Sequence, residues 1–596
     1  MKERHPSYFE RFPVRRVSKI VGGLAVVSLA LAACVGGPRQ SAPRPELSAT
    51  AEVEVSEASL DLLSRGIWNH AGMTSTPDGL RVDHVGMAIV EQDGSDPSAN
   101  PPLNLYGTHL AVQGDFEIAA DITHRNGEAA LTLYGRPPII LDEVRVEPPS
   151  VRIALEENLW VGVWDGSGNT LVQEALFDDF VTTPDSDVRV RRVDNTLQFF
   201  VDDQLVGEVS DHGIFAGGQV WLGWDAGSPD GGFVIDGFSA TGIGDGVVEA
   251  VDTRSIEPAA RPSDGFRSLI QARRGAMQIG AAVSLEQLVS DPRYYEIAAG
   301  TYGSWTTENA LKMQFVQPAR GRYEFGAADA IFALADKNEV RMHLHTLVFG
   351  EANPTWVQEL AQSDPSALRD VMLDHVQTVM AHYKGRVQSV DVVNEPLADY
   401  DAFIRGEQEL RNHVWHRSMG ESYIDLAFRR AHEIDPAAKL FINEYGLEGS
   451  IGDGGDTERW DAFLALVDRL LARGVPVHGV GFQTHVYEPG DEIDPVVFQT
   501  RIDALRQRGL IFRISEADVH TEAGRDAQAA EFGLAAQICR DNEDICMGMT
   551  TWGVTEATGS TGYIDDNGHF VPGEGLMYDV TGQPLPAVAA VRDILK

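Results

Sequence analysis

The sequence predicts a (β/α)8 barrel in its C-terminal half, preceded by an all-β sandwich. Two changes of rhythm carry this reading. From about Ser59 to Gly244, short runs alternate apolar and polar residues between Gly, Asp, Asn and Pro, with no helical stretch. From about Phe266 onward, helix-like stretches alternate with short β-branched runs. A doubly wound open sheet is the other arrangement such repeats allow, but no Gly-x-Gly-x-x-Gly follows a first strand.

Residues 1–34 read as an export leader. Lys2, Arg4, Arg11, Arg15, Arg16 and Lys19 precede an apolar run from Ile20 to Ala33. That run falls short of the roughly 20 residues of a membrane span and suits a signal-peptide core. It ends in Leu31-Ala-Ala-Cys34, which resembles a bacterial lipobox. The resemblance implies cleavage before Cys34 and lipidation of its thiol, with an ordinary signal peptide as the alternative. Either form exports the chain, and the lipid form holds it at the cell surface as its only membrane contact. Residues 35–58 are Pro-rich and polar and read as a tether.

Residues 59–244 supply the sandwich. Asp115-Phe-Glu-Ile-Ala-Ala-Asp-Ile, Leu159-Trp-Val-Gly-Val-Trp and Val220-Trp-Leu-Gly-Trp are strand-like. Thr196-Leu-Gln-Phe-Phe-Val and Leu205-Val-Gly-Glu-Val flank Asp202-Asp203 as a hairpin, and Phe233-Val-Ile-Asp-Gly-Phe closes the set. The hairpin and the closing strand resemble concanavalin-type jelly rolls, which implies carbohydrate binding. Trp68, Trp160, Trp164, Trp221 and Trp224 are candidate stacking faces. Burial in the core is the favoured reading at alternating strand positions. Residues 245–264 mix Gly, Asp, Glu, Pro and Ala and read as a linker.

The barrel follows over 265–596. Helix–strand pairs run Ala327–Asn338 with Val340–Val348, Pro365–His382 with Val387–Val393, and Tyr423–Ile434 with Lys439–Asn443. Three more follow: Trp460–Arg473 with Gly479–His485, Pro495–Arg508 with Leu510–Ser515, and Ala527–Cys539 with Met547–Trp552. Polar residues close these strands: His345; Asn394-Glu395; Asn443-Glu444-Tyr445; Gln483-Thr-His485; Glu516; Trp552. In a parallel barrel those ends share one face, where active sites are built.

The net charge is −41, which repels nucleic acid and anionic lipid and suits a neutral substrate. No metal or cofactor motif is present, and three cysteines exclude a disulfide scaffold. Cleaving a glycosidic bond needs one carboxyl to protonate the leaving oxygen and a second to stabilise or attack the anomeric carbon. Glu395 and Glu516 are placed for that pair.

The segment Val390-Asp-Val-Val-Asn-Glu395-Pro resembles the acid/base signature of glycoside hydrolase family 10, the β-1,4-xylanases. Ile514-Ser-Glu516-Ala-Asp518 resembles its nucleophile strand, and Thr307-Glu308-Asn309-Ala-Leu-Lys312 its donor-side strand. Gln317-Pro-x-x-Gly321, His345-Thr-Leu-Val, Pro354-Thr-Trp356, Gly481-Phe-Gln483-Thr-His485 and Thr551-Trp552-Gly-Val continue the match in order. The resemblance implies net retention, with Glu395 as acid/base and Glu516 as nucleophile. It implies that Asn394 holds the 2-hydroxyl of the sugar beside the cut, and that Glu308, Asn309 and Lys312 bind donor-side hydroxyls. It places His345 and Gln483 in the central subsite, His485 on the nucleophile with Asp518 behind it, Trp552 as a stacking wall and Tyr445 toward the acceptor side. It also implies a Cys539–Cys546 disulfide before the last strand. His343 reads as structural, Glu444 as non-catalytic and Glu556 as solvated.

Two departures stand out. The family's Trp-His after His-Thr-Leu-Val is Phe349-Gly350 here, and no tryptophan follows Trp552 within the next few residues, where Tyr563 is the nearest substitute. A wider, less aromatic pocket is therefore expected. The leading expectation is an endo-acting, monomeric β-1,4-xylan hydrolase. The alternatives are the same mechanism on another β-glycan or substituted pentose polymer, and an inactive glycan-binding protein.

Overall fold

Two strands of more than twenty residues, Leu105–Asn126 and Gly232–Asp252, pair along almost their whole length and organise the N-terminal unit. The computed structural model describes residues 60–62, 73–83, 105–136 and 139–252, apart from 142–143, 147–148, 165–170, 179, 181 and 227–230. It then describes 256–596 apart from 399–402, 404–405, 407–408, 450–454, 487–491, 521–522, 558–562, 565–569 and 572. The expected leader with Cys34, the tether over 35–58 and Trp68 lie outside the described residues.

Among the described residues, 13 strands of the sandwich form one antiparallel sheet folded over on itself. The first half of Leu105–Asn126 pairs with Gln219–Ala226 and its second half with Ser186–Val193, so a single strand serves both layers. Strand Gly232–Asp252 makes the same bend through a bulge between Ile243 and Val247. There Gly246 lies so close to the Asp115 carbonyl that a Cβ would sit 2.0 Å from the oxygen. This corrects the linker expected over 245–264. Its Asp245-Gly246 start lies in a bulge inside a strand that continues to Asp252. The expected hairpin is present, with Asp202 and Asp203 both at positive φ (48° and 65°), the geometry of a two-residue turn that matches strand twist.

The eight barrel strands are β1 (Gln278–Val283), β2 (Ser304–Thr307), β3 (Arg341–Leu344), β4 (Ser389–Asn394), β5 (Lys439–Glu444), β6 (Gly479–Phe482), β7 (Ile511–Val519) and β8 (Cys546–Thr551). Each pairs in parallel with the next, and β8 pairs with β1 to close the ring. Most of the strands are buried on both faces, which is why they read as continuous apolar runs. Several helices start at built caps. Asp291 and Asp494 each accept two backbone N–H bonds ahead of a proline, and Ser284 caps Leu285–Ser290. Cys539 and Cys546 form the expected disulfide, tying helix Arg525–Asp541 to the start of β8.

The two units touch. Tyr134 and Trp221, on the sandwich's outer face, are buried in the barrel's core cluster, and Gln219 Nε2 donates to the Ser290 carbonyl at 3.3 Å. Trp221 and Trp224 are both core residues. Trp224 packs edge-on to Phe233 and Phe238 at 5.7 and 5.5 Å inside the sandwich.

Candidate active site

The C-terminal ends of β4 and β7 present the two expected carboxylates. Glu395 follows the last residue of β4 at φ +48°, a region sparsely used by non-glycine residues, and its N–H is fixed by the Asn443 carbonyl at 2.8 Å. Its Oε1 accepts from Gln483 Nε2 at 3.0 Å and Asn394 Nδ2 at 3.3 Å, and its Oε2 accepts from Arg411 Nη2 at 2.8 Å. Glu516, within β7, accepts from Asn443 Nδ2 at 2.5 Å, while its Oε2 lies 3.6 Å from His485 Nε2. The Asn443 amide also donates to Asn394 Oδ1 at 2.7 Å, and Ser515 Oγ fixes its other end at 2.6 Å. Three hydrogen bonds therefore connect one carboxylate to the other, through Asn394 and Asn443.

The two carboxylates differ in surroundings. Burial pushes Glu516 up, but the His485 contact and the charges of His345 and His485 outweigh it and hold the carboxyl below its ordinary range. Burial alone would neutralise His485. Asp518, accepting from Nδ1 at 2.6 Å, and Glu516 reverse this and keep the imidazole protonated well above its usual range. Glu516 is thus an enclosed, ionised carboxylate, the state a nucleophile requires. Glu395 has the more open side chain, 16% exposed against 6%, as suits a group that exchanges protons with water.

A second tier fixes the first. Asp391, fully buried in β4, accepts from His343 Nε2 at 2.8 Å and from His345 Nδ1 at 2.9 Å. Burial with the nearby Arg513 cation lowers His343 to about 4, so a neutral ring donates to an ionised Asp391. His345, held this way, sets its ring 5.1 Å from Trp552 in an edge-on contact. Glu308, Asn309 and Lys312 follow β2 together and are half-buried. Glu308 N–H donates to the Val283 carbonyl, and Asn309 Nδ2 reaches Glu308 Oε1 at 3.5 Å.

Two expectations change, at Glu556 and at Gly350. Tyr445, expected toward the acceptor side, packs against two arginines. It is 4% exposed, its ring lies 4.2 Å from the Arg459 guanidinium, and its hydroxyl is 3.5 Å from Arg411. Glu556 is not solvated; it is buried and paired with both terminal nitrogens of Arg525. The pocket is not simply wider where Gly350 replaces a larger residue. A Cβ at Gly350 would meet the His413 ring at 2.8 Å and Arg411 Cδ at 3.1 Å, so side chains from the excursion after β4 occupy that space. Tyr563 falls where side chains are not described. Glu444 is structural as expected. Burial raises it to about 7 despite its Arg459 partner at 2.8 Å.

Sequence reasoning missed Asp391, Arg411 and Glu351, and placed Asn443 at a strand end without a role. Arg411 is buried between Glu395 and Glu351. An aspartate inside the run Val390-Asp-Val-Val was a usable signal, because a buried charge needs partners. Arg411 and Glu351 lie in connections, where strand-end logic does not reach.

The sequence pattern described as Glycosyl hydrolase family 10 matches residues 267–594. The chain belongs to glycosyl hydrolase family 10. Among curated relatives, Endo-1,4-beta-xylanase 2 of Claviceps purpurea is 29% identical over 320 residues, 54% of this chain and 88% of that protein. Beta-1,4-xylanase of Dictyoglomus thermophilum is 32% identical over 303 residues, 48% of this chain and 80% of that protein. Xylanase 10B from Thermotoga petrophila RKU-1, solved in complex with xylobiose, shares 29% identity at a TM-score of 0.49, covering 56% of this chain and 97% of that one. As a family 10 member, the protein is a retaining glycoside hydrolase.

The imidazolium beside Glu516 has a measurable consequence. With Glu516 as the nucleophile, kcat/KM should fall with acid only as pH passes below the ordinary glutamate value of about 4.3. His485→Asn removes the cation, so the acid limb of a kcat/KM–pH profile should move to higher pH. An unmoved limb would separate His485 from the ionisation of Glu516.

Proposed function

We propose that this protein is an endo-acting β-1,4-xylan hydrolase that works by double displacement. The observation that carries the reading is the amide link Asn394–Asn443, which joins an enclosed, ionised Glu516 to a more open Glu395 at the mouth of one barrel. The xylanase names of the relatives point to the glycan.

In the first step a Glu516 carboxylate oxygen attacks the anomeric carbon, and Glu395 gives its proton to the departing glycosidic oxygen. A glycosyl ester on Glu516 results. In the second step ionised Glu395 takes a proton from water, whose oxygen displaces Glu516 and restores the original anomeric configuration. Asn394 is oriented by Asn443 to hold the 2-hydroxyl, a bond that tightens as positive charge grows on the sugar. Gln483 and His345 line the sugar beside the cut, Trp552 supplies an apolar wall, and Glu308, Asn309 and Lys312 take donor-side hydroxyls. The reaction as written needs no cofactor. The protein acts as an exported monomer on a polysaccharide, anchored through lipid on Cys34.

The Arg411 and His413 side chains that fill the space beside Gly350 favour a second reading, the same chemistry on a differently substituted pentose polymer or another β-glycan. Reducing-sugar release from plain xylan, arabinose- or uronate-substituted xylan and mixed β-glucan decides between them. The first reading expects release of short oligomers from plain xylan. Activity confined to another polymer selects the second, and binding without release from any polymer overturns both.

A further inference from the structure

The strand tryptophans of the sandwich divide into two kinds. Trp221 and Trp224 are buried, whereas Trp160 and Trp164 are half-buried and belong to neither core cluster. They stand on the same face of strand Leu159–Trp164, with ring centroids 6.0 Å apart. Both rings lean over Gly162, where a Cβ would come 2.4 Å from Trp160 Cη2 and 2.6 Å from Trp164 Cη2. The glycine lets the two rings meet as one continuous apolar surface. Trp160 Nε1 is pinned by the exposed Glu174 at 2.8 Å. On the edge strand Leu171–Phe177, the direct neighbours of the two tryptophans are Leu176, 58% exposed, and Leu171, 38% exposed. An exposed apolar patch of this kind, rimmed by a carboxylate, marks a binding surface.

The register shows where this surface leads. Trp164 lies opposite Ser150, Ser150 opposite Tyr134, and Tyr134 opposite Trp221, all on one face. Tyr134 and Trp221 are the residues buried against the barrel. Strands lie about 4.8 Å apart, so the row from platform to barrel contact spans roughly 14 Å. On the barrel side that contact involves helix Leu285–Ser290, which leaves the end of β1, and Asp83 of the sandwich approaches Arg322 to 4.0 Å in the excursion after β2. The same excursion carries Glu308, Asn309 and Lys312.

We propose that the Trp160–Trp164 platform is a remote glycan-binding site, which holds the donor-side extension of the polymer whose cut segment sits in the barrel. The occupant is a neutral β-linked glycan chain. Its pyranose C–H faces lie on the indole rings, and its hydroxyls reach Glu174. The charge of −41 disfavours an anionic occupant. The edge strand is poorly shaped for pairing with a second copy, because its ladder is broken by a bulge between Leu171 and Gln173 and Gln173 is tied to His212 at 3.0 Å. The site rests on the hydrolase reading above and extends it beyond the barrel.

The test compares the full-length chain with its Trp160→Ala/Trp164→Ala variant on a long polymer and on the corresponding trisaccharide, using the polymer the wild-type chain cleaves. The expected result is a KM for the polymer raised by roughly tenfold, with kcat/KM on the trisaccharide unchanged. Trp164→Leu, which keeps bulk and loses the broad ring, should raise the polymer KM in the same direction by a smaller factor. An unchanged polymer KM overturns the platform and leaves the hydrolase reading intact. Equal losses on polymer and trisaccharide also overturn it, because they place the effect in the fold or the barrel. A wild-type dimer in sedimentation velocity that the double substitution dissociates assigns the patch to a second copy instead. No cleavage of any polymer by the wild-type chain removes both proposals.

Discussion

Glu516→Ala is expected to lower kcat on xylan by at least ~10^4-fold, because it removes the carboxylate on which the glycosyl ester forms. Oligosaccharide binding should survive. Asn443 keeps its bonds to Asn394 and Ser515, and His485 keeps Asp518. Calorimetric binding of a xylo-oligosaccharide to this variant, set beside its kcat, separates a lost nucleophile from a lost site. A loss of ten-fold or less would remove Glu516 from the chemistry.

Glu395→Ala should show a different signature. General acid catalysis contributes about 10^2–10^4-fold, and it matters only where the leaving group needs a proton. Hydrolysis of xylan should therefore fall by that factor, whereas formation of the glycosyl ester from an aryl glycoside with a strongly acidic phenol should fall far less. The ester should then accumulate, since its hydrolysis also uses Glu395 as base. Azide, a nucleophile that needs no base, should restore turnover and give the β-glycosyl azide. Equal losses across leaving groups, with no azide rescue, would contradict the acid/base role.

Much of this was legible in the sequence because parallel barrel strands are buried on both faces and end at the active face. Six strands announced themselves as β-branched runs closed by a polar residue, and those polar ends delivered Asn394, Glu395, Gln483, His485 and Glu516. The first two strands were harder. Gln278-Ile-Gly-Ala-Ala-Val is too poor in β-branched side chains to stand out, and Ser304–Thr307 is only four residues long. The resemblance reached β2 through Glu308, not through its pattern.

What periodicity cannot convey is which side chain fills a gap left by another. The exchange to Gly350 reads as lost bulk, yet Arg411 and His413 enter from sixty residues away and bring a cation onto Glu395. Tyr445 follows a strand end as the two carboxylates do, and Arg459, from a later helix, packs on its ring. The Gly242–Gly246 stretch carries the composition of a linker and the geometry of a bulge, because glycine serves both.

The proposed mechanism turns on Glu516 becoming bonded to sugar. Incubation of the wild-type chain with an activated 2-deoxy-2-fluoro-xylobioside, which slows hydrolysis of the ester more than its formation, followed by peptide mass mapping, reads that bond directly. One fluoroxylobiosyl adduct per chain, on the peptide containing Glu516, is the predicted result. An adduct on another carboxylate, or none while the reagent is consumed, would contradict it.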